Sequence, residues 1–215
     1  MATVTSALLL DPMQVSLPSA RLSAHAVPRR PGALDRSFHE SGSQRLNPLG
    51  GPLVLMPGEL YFGSQVPLVR TLLGSCVAIT VWHPERCIGG MCHYLLPERR
   101  PPRQPSQPLD GRYGDEAMAL LVQGMHQAGT EPRDYIAHLY GGADTMPGAA
   151  GVKFNIGERN IELGWSLIDQ LGMTLHSVDV GDDVPRTVQM AMTTGWVDMQ
   201  RGRSISQKST GTVPP

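Results

Sequence analysis

Apolar and polar positions divide the chain into regular elements from about residue 53 to residue 200. A run of β-branched and aromatic residues at 77–82 predicts a strand, and residues 87–95 predict a second one after a short turn. Because so few residues separate the two runs, we expect them to pair as a hairpin.

Two later segments show the apolar spacing of amphipathic helices. In the first, at 115–127, the apolar face consists of Met118, Leu121, Val122 and Met125. The second begins with Asn155 and Glu158, whose spacing resembles a capping box, and ends before Gly172. Its predicted buried face consists of Ile161, Trp165, Ile168 and Leu171.

Further strands are predicted at 135–140 and 173–180, and a hairpin is predicted from 187–192 and 196–199 around the turn at Thr194 and Gly195. The order is strands, helix, strand, helix, strands. This order predicts an α/β fold, a single domain of layered mixed β-sheet and helices at 53–200.

The flanking segments have the composition of tails. Residues 1–50 are rich in Ser, Pro, Gly and Arg without a sustained period, which predicts a disordered N-terminal tail. Residues 203–215 read the same way and predict a flexible C-terminal tail. The five prolines in 97–111 predict an exposed loop inside the domain.

Composition excludes several classes of protein. The formal net charge of −1 gives no reason to expect nucleic-acid binding. No segment approaches the roughly 20 apolar residues of a membrane span, so membrane insertion is not expected. With only 3 cysteines in 215 residues, a disulfide framework is not indicated, and we expect a reducing, cytoplasmic location.

Cys76 and His93 are the first candidates for chemistry. Cys76 follows Gly74 and Ser75 at the mouth of a predicted strand, where free backbone N–H groups can stabilise a thiolate or an oxyanion. The predicted hairpin returns His93 to the neighbourhood of Cys76, and such a pair suits thiol hydrolysis. Spacing alone also fits a small buried cysteine and a buried core histidine.

Two other chemistries are weaker. Cys87, Cys92 and His93 lack the paired C-x-x-C pattern and the fourth ligand of a structural zinc site, so we expect no metal. Ser75 is an alternative nucleophile, but the Gly-x-Ser-x-Gly pattern of a nucleophile elbow is absent. A thiol is also activated more easily than a hydroxyl, which favours Cys76.

Several motifs, in order over about 145 residues, resemble the CheD family of chemoreceptor glutamine deamidases. The segments that carry the resemblance are Thr71–Ala78, Gly89–Pro97, Arg112–Met118, Gly141–Ala143 and Ile156–Asn160, and the resemblance ends near Trp196. It implies an α/β fold of layered sheets and helices, and hydrolysis of glutamine side-chain amides on chemoreceptor cytoplasmic domains without a cofactor.

The resemblance also assigns roles to residues. It implies Cys76 as the nucleophile, His93 as the base and Thr71 as the residue that orients the histidine. Backbone N–H groups near Ser75 and Cys76 would hold the oxyanion. The alternative is a binding module without catalysis, which docks a CheC-type phosphatase or the receptor itself.

Three arginines are candidate contacts for a substrate or a regulator. Arg99 and Arg100 lie in a basic loop that can steer docking onto an acidic receptor bundle, although a solvated loop fits equally well. Arg186 ends the segment 181–186, where the resembling family carries a glycine-rich run. Asp182 and Pro185 replace two of these glycines, so a changed loop shape is expected.

Overall fold

The computed structural model describes residues 51–144 and 156–203. The tail predicted at 1–50 lies outside the described residues, as do Asn155 of the predicted capping box and all but the first residue of the tail predicted at 203–215. None of the helices in the described ranges is long and apolar enough to cross a membrane.

Two β-sheets and two α-helices form the described part of the chain. The strands are β1 (Leu53–Leu55), β2 (Leu60–Gly63), β3 (Leu68–Leu73), β4 (Val77–His83), β5 (Ile88–Tyr94), β6 (Ile136–Gly141), β7 (Thr174–Val180), β8 (Arg186–Ala191) and β9 (Val197–Arg201). The helices are α1 (Gly114–Gln127) and α2 (Ile156–Gln170).

Each sheet contains parallel and antiparallel strand pairs, which agrees with the predicted mixed β-sheet. The first sheet has the order β1-β3-β8-β9, and the second has the order β2-β5-β4-β6-β7. The predicted hairpins β4–β5 and β8–β9 are both present and antiparallel. The α/β fold class and the layered arrangement are therefore confirmed.

The central strand β4 separates two apolar cores. Its odd positions, such as Ile79, pack with α1 and α2 in one cluster. Its even positions, such as Ala78 and Trp82, pack against residues of the four-stranded sheet in a second cluster. Because side chains alternate along a strand, β4 serves both clusters, and every one of its residues is buried.

Three of the four residues predicted on the buried face of the second helix, Ile161, Ile168 and Leu171, pack in the core cluster, but the fourth does not. Trp165, predicted to be buried, is 50 % exposed. The buried positions of α2 are Gly157, Asn160, Gly164 and Ile168. A Cβ atom added to Gly164 would lie 2.6 Å from Tyr94 Oη, so small residues are what allow α2 to approach the sheet closely.

Candidate functional site

The turn Gly74–Cys76 carries the chain from one sheet to the other. It connects β3 of the four-stranded sheet to β4 of the five-stranded sheet. Residues at such a crossover belong to neither ladder, so their backbone groups need other partners. Cys76 is partly buried here and packs against the cluster between the two sheets.

All three carbonyl groups of this turn accept a hydrogen bond. The backbone N–H of Ala143 donates to Gly74 O at 2.9 Å, and that of Gly142 donates to Cys76 O at 2.8 Å. Asn160 Nδ2 donates to Ser75 O at 3.3 Å. No backbone carbonyl among the described residues accepts the N–H group of Ser75 or Cys76.

The register of the hairpin brings His93 beside the turn. Ala78 pairs with His93, and Val77 pairs with Tyr94. Cys76 directly precedes β4, two positions before the residue that faces His93. The predicted hairpin is therefore present, with Cys76 at the start of its first strand and His93 near the end of its second.

Thr71 meets His93 across the two sheets. Its hydroxyl donates to Leu55 O at 2.8 Å, and its Oγ1 lies 2.7 Å from His93 Nδ1. A hydroxyl can donate only one hydrogen bond, and that of Thr71 is donated to the carbonyl of Leu55. Nδ1 of His93 must therefore be the donor to Thr71, which leaves Nε2 as the unprotonated nitrogen.

Burial sets the charge state of His93. Its side chain is 1 % exposed, and Nε2 has no hydrogen-bond partner among the described residues. Burial lowers the pKa of His93 from its ordinary value of 6.5 to about 4, and the nearby carbonyl of Leu55 offsets only part of this effect. The imidazole is therefore neutral near pH 7, as a general base must be.

The thiol of Cys76 is also neutral at rest. Burial raises its pKa above the ordinary value of 9.0, and the residue's own backbone N–H offsets part of the increase. A raised pKa for Cys76 and a lowered pKa for His93 both disfavour a preformed thiolate–imidazolium pair. These two pKa shifts instead suit a proton transfer that accompanies attack by the thiol.

The three residues considered and rejected as metal ligands do not come together. Cys92 is fully buried in the cluster beneath the helices, where burial raises its pKa to about 12. His93, its neighbour in the strand, faces the opposite side of the sheet, and Cys87 is exposed. No group of three or more His, Cys, Asp or Glu side chains in the described ranges is arranged to hold a metal ion.

Two of the three candidate docking arginines have structural partners. Arg99 binds both carboxylate oxygens of the buried Glu116 at 2.9 Å. Arg186 has a fully buried side chain, which pairs with Asp179 and donates to Gly181 O and Val184 O. Its predicted surface contact with a partner is therefore not available in this structure. Arg100 has a 71 % exposed side chain and pairs only with Glu98 in the described residues.

The segment 181–186 contains a residue other than glycine in the left-handed conformation. Asp182 has a φ of 57°, a conformation that asparagine and aspartate tolerate better than most residues. Its carboxylate accepts a hydrogen bond from Arg201 at 3.0 Å, and its carbonyl accepts one from the backbone of Asp144 at 2.7 Å. Asp182 thus adopts the left-handed conformation with its side chain and its carbonyl both hydrogen-bonded.

Asn160 is the residue of this site whose role the sequence did not show. It lies within a segment that carries the resemblance, but a helical asparagine has no chemical signature of its own. The one feature of the sequence that could have indicated its burial is its position on the same helical face as Gly157 and Gly164. Those glycines mark the face that approaches the sheet.

Comparison with known proteins bears on the family of this chain. The family model described as CheD chemotactic sensory transduction matches residues 95–201, which begin just after His93. The solved structure of the hypothetical protein YfiH from Bacillus licheniformis is 10 % identical with a TM-score of 0.33, and covers 52 % of this chain and 46 % of its own. A likeness that low supports no inference.

Curated relatives are much closer. A probable chemoreceptor glutamine deamidase CheD 3 from Dechloromonas aromatica is 43 % identical over 69 % of this chain and 87 % of its own length. The relative named CheD 1 from Chromobacterium violaceum is 37 % identical over 85 % of this chain and 95 % of its own length. With matches of this identity and coverage, the chain belongs to the CheD family.

Proposed function

We propose that this protein hydrolyses the side-chain amide of glutamine residues on chemoreceptors, with Cys76 as nucleophile and His93 as base. The proposal extends to this chain what the names of its relatives state of them. The observation that carries it is the hydrogen bonding of Thr71, which selects the tautomer of His93. Thr71 holds Nδ1 as a donor, so the unpartnered Nε2 is available to accept the proton of a nearby thiol.

The first half of the reaction forms a thioester. Nε2 of His93 takes the proton of Cys76, and the thiolate attacks the amide carbonyl carbon to form a C–S bond. The resulting oxyanion is held by the free N–H groups at Ser75 and Cys76. The imidazolium of His93 then gives its proton to the amide nitrogen, the C–N bond breaks, and ammonia leaves.

The second half releases glutamate. Water attacks the thioester while Nε2 of His93 takes one of its protons, and the C–S bond breaks as the new tetrahedral intermediate collapses. The thiolate of Cys76 recovers a proton from the imidazolium. All groups return to their starting states, and the reaction requires only water as co-reactant.

Docking of the substrate belongs to the same proposal. Arg100 is the candidate arginine that remains exposed, and it suits attraction to an acidic helical bundle such as a chemoreceptor's cytoplasmic domain. A CheC-type phosphatase is proposed as a second partner at this surface. A cytoplasmic location follows from the proposed substrate domain.

The test is mass analysis of a receptor cytoplasmic fragment after incubation with the protein. We expect conversion of specific glutamines to glutamates by the wild type and by Cys87→Ala, which removes an exposed cysteine outside the site. Cys76→Ala should lose activity by about 1000-fold or more, as for other removed nucleophiles. Binding of the fragment by all three proteins without any conversion would favour the non-catalytic binding module.

A further inference from the structure

Asn160 joins the two segments that carry the proposed nucleophile and base. Its Nδ2 donates to Ser75 O at 3.3 Å, in the turn of Cys76, and to Leu95 O at 2.8 Å, just after the strand of His93. Its own carbonyl accepts a hydrogen bond from Tyr94 Oη at 2.7 Å. One helical residue thereby fixes the separation of both segments.

The amide completes a set of three bonds that the backbone alone leaves incomplete. Gly142 and Ala143 hold the carbonyls of Cys76 and Gly74 through their N–H groups. The carbonyl between them, that of Ser75, receives its bond from Asn160. With all three carbonyls held, the peptide planes of the turn are fixed, and so are the directions of its free N–H groups.

Asn160 is a buried polar residue that uses its donors and leaves its side-chain acceptor unpartnered. The residue is 0 % exposed, and Oδ1 has no hydrogen-bond partner in the described residues. Leaving a buried acceptor without a partner costs free energy, so an apolar side chain would be the cheaper occupant. Rotation of the amide by a half-turn would oppose Oδ1 to two carbonyl oxygens, so the assigned orientation is required.

We propose that Asn160 is a positioning residue, which holds the Cys76 turn so that the N–H groups of Ser75 and Cys76 point at the developing oxyanion. The inference rests on the proposed function, because it assigns Asn160 to the same reaction. Asn160 acts through the backbone of the turn and contacts no reacting atom.

The test compares Asn160→Asp, Asn160→Ser and the control Thr130→Val. Aspartate keeps the shape of the side chain and has no donor when it is ionised, and serine keeps one donor. Thr130 is a buried residue bonded to Met125 O and Tyr135 away from the site. Steady-state kinetics on a receptor fragment should show kcat reduced by about 100-fold in Asn160→Asp, the order found for a lost oxyanion donor.

Other readouts separate positioning from simple destabilisation. KM should stay within about 3-fold of the wild-type value, since the lost interaction acts mainly in the transition state. The kcat of Asn160→Ser should fall between those of Asn160→Asp and the wild type. Thr130→Val should lower thermal stability and leave kcat unchanged. A folded Asn160→Asp or Asn160→Ser with wild-type kcat would overturn the inference.

Failure of the proposed function is visible separately, because the wild type would then leave the fragment unmodified. Alkylation of Cys76 by iodoacetamide, measured in a Cys87→Ala background, needs no substrate. Loosening the turn exposes the thiol, so Asn160→Ser should increase the alkylation rate by about 3-fold or more, since reactivity follows thiolate content and access. An unchanged rate would overturn the inference in that case.

Discussion

At the scale of single residues, the hydroxyl of Thr71 decides what His93 can do. Nδ1 and Nε2 of a neutral imidazole cannot both be donors, so the partner of one nitrogen sets the role of the other. Thr71 Oγ1 donates a hydrogen bond to Leu55 O and accepts one from Nδ1–H of His93. A threonine that acts only by packing would not impose this tautomer.

Replacement of Thr71 by valine tests the orienting role. Valine keeps the branched shape and removes the oxygen, so His93 loses the partner of its Nδ1–H. We expect kcat to fall by about 10- to 100-fold, by analogy with the loss found when the partner that orients a metal-binding histidine is removed. Thr71→Ser keeps the hydroxyl and should retain most of kcat. Equal activities of the valine and serine variants would show that the hydroxyl is unimportant.

The raised pKa of Cys76 leads to a prediction about thiol reactivity. Iodoacetamide reacts with the thiolate, which burial disfavours at neutral pH. In a Cys87→Ala background, the alkylation rate of Cys76 should therefore rise continuously with pH up to and beyond pH 9.0, the ordinary pKa of a thiol. A plateau reached near neutral pH would instead indicate a preformed thiolate–imidazolium pair.

At the scale of elements, α2 shows where a periodic reading of sequence fails. The spacing of large apolar residues correctly predicted Ile168 on the buried face, but it also placed Trp165 there, which is exposed. The helix buries the small residues Gly157 and Gly164 instead. A Cβ at Gly157 would lie 2.5 Å from Gly142 O. Hydrophobic period reports which side chains prefer burial, but close approach of backbones selects small residues, and that geometry is not encoded in the period.

Gly164→Ala tests whether the close approach of α2 matters for the site. The added Cβ would meet Tyr94 Oη at 2.6 Å and Leu139 Cδ1 at 2.8 Å, so the helix must shift. We expect the free energy of unfolding to fall by about 1–3 kcal/mol, as for other overpacked positions. Catalytic activity should fall as well, because the shift withdraws Asn160 from Ser75 O.

Ser166→Ala supplies the matched control for Gly164→Ala. Ser166 lies on the same helix, its side chain is exposed, and its hydrogen bond is to Gln170 one turn away. Denaturant unfolding and activity should both stay near the wild-type values in this variant. If Gly164→Ala behaved in the same way, close packing of α2 would not be required for the site.

At the scale of the whole molecule, the two-sheet arrangement assembles the site. Thr71 comes from the four-stranded sheet and His93 from the five-stranded sheet, 22 positions apart in the chain. The hairpin of β4 and β5, which carries His93, is local, so the sequence predicted it. The pairing of β3 with β8 joins residues more than 100 positions apart, and nothing local in the sequence specifies such a contact.

Two buried histidines make the whole fold sensitive to acid. Burial lowers the pKa of His93 to about 4, and burial together with the neighbouring His176 lowers the pKa of His138 to about 4. An unfolded chain would bind protons at both residues near their ordinary pKa of 6.5. Since the unfolded state then holds more protons, stability must fall as pH decreases from about 6.5 towards 4.

His138→Gln isolates this effect from the catalytic site. His138 is 8 % exposed and bonded to Thr80 in the core between the sheets, away from the Cys76 turn. Between pH 7 and pH 5, its replacement should reduce the loss of unfolding free energy by about 1–2 kcal/mol. Urea unfolding at several pH values measures this, with the exposed His126→Gln as control. A wild-type stability that stays constant over this interval would mean that these histidines are not held neutral by folding.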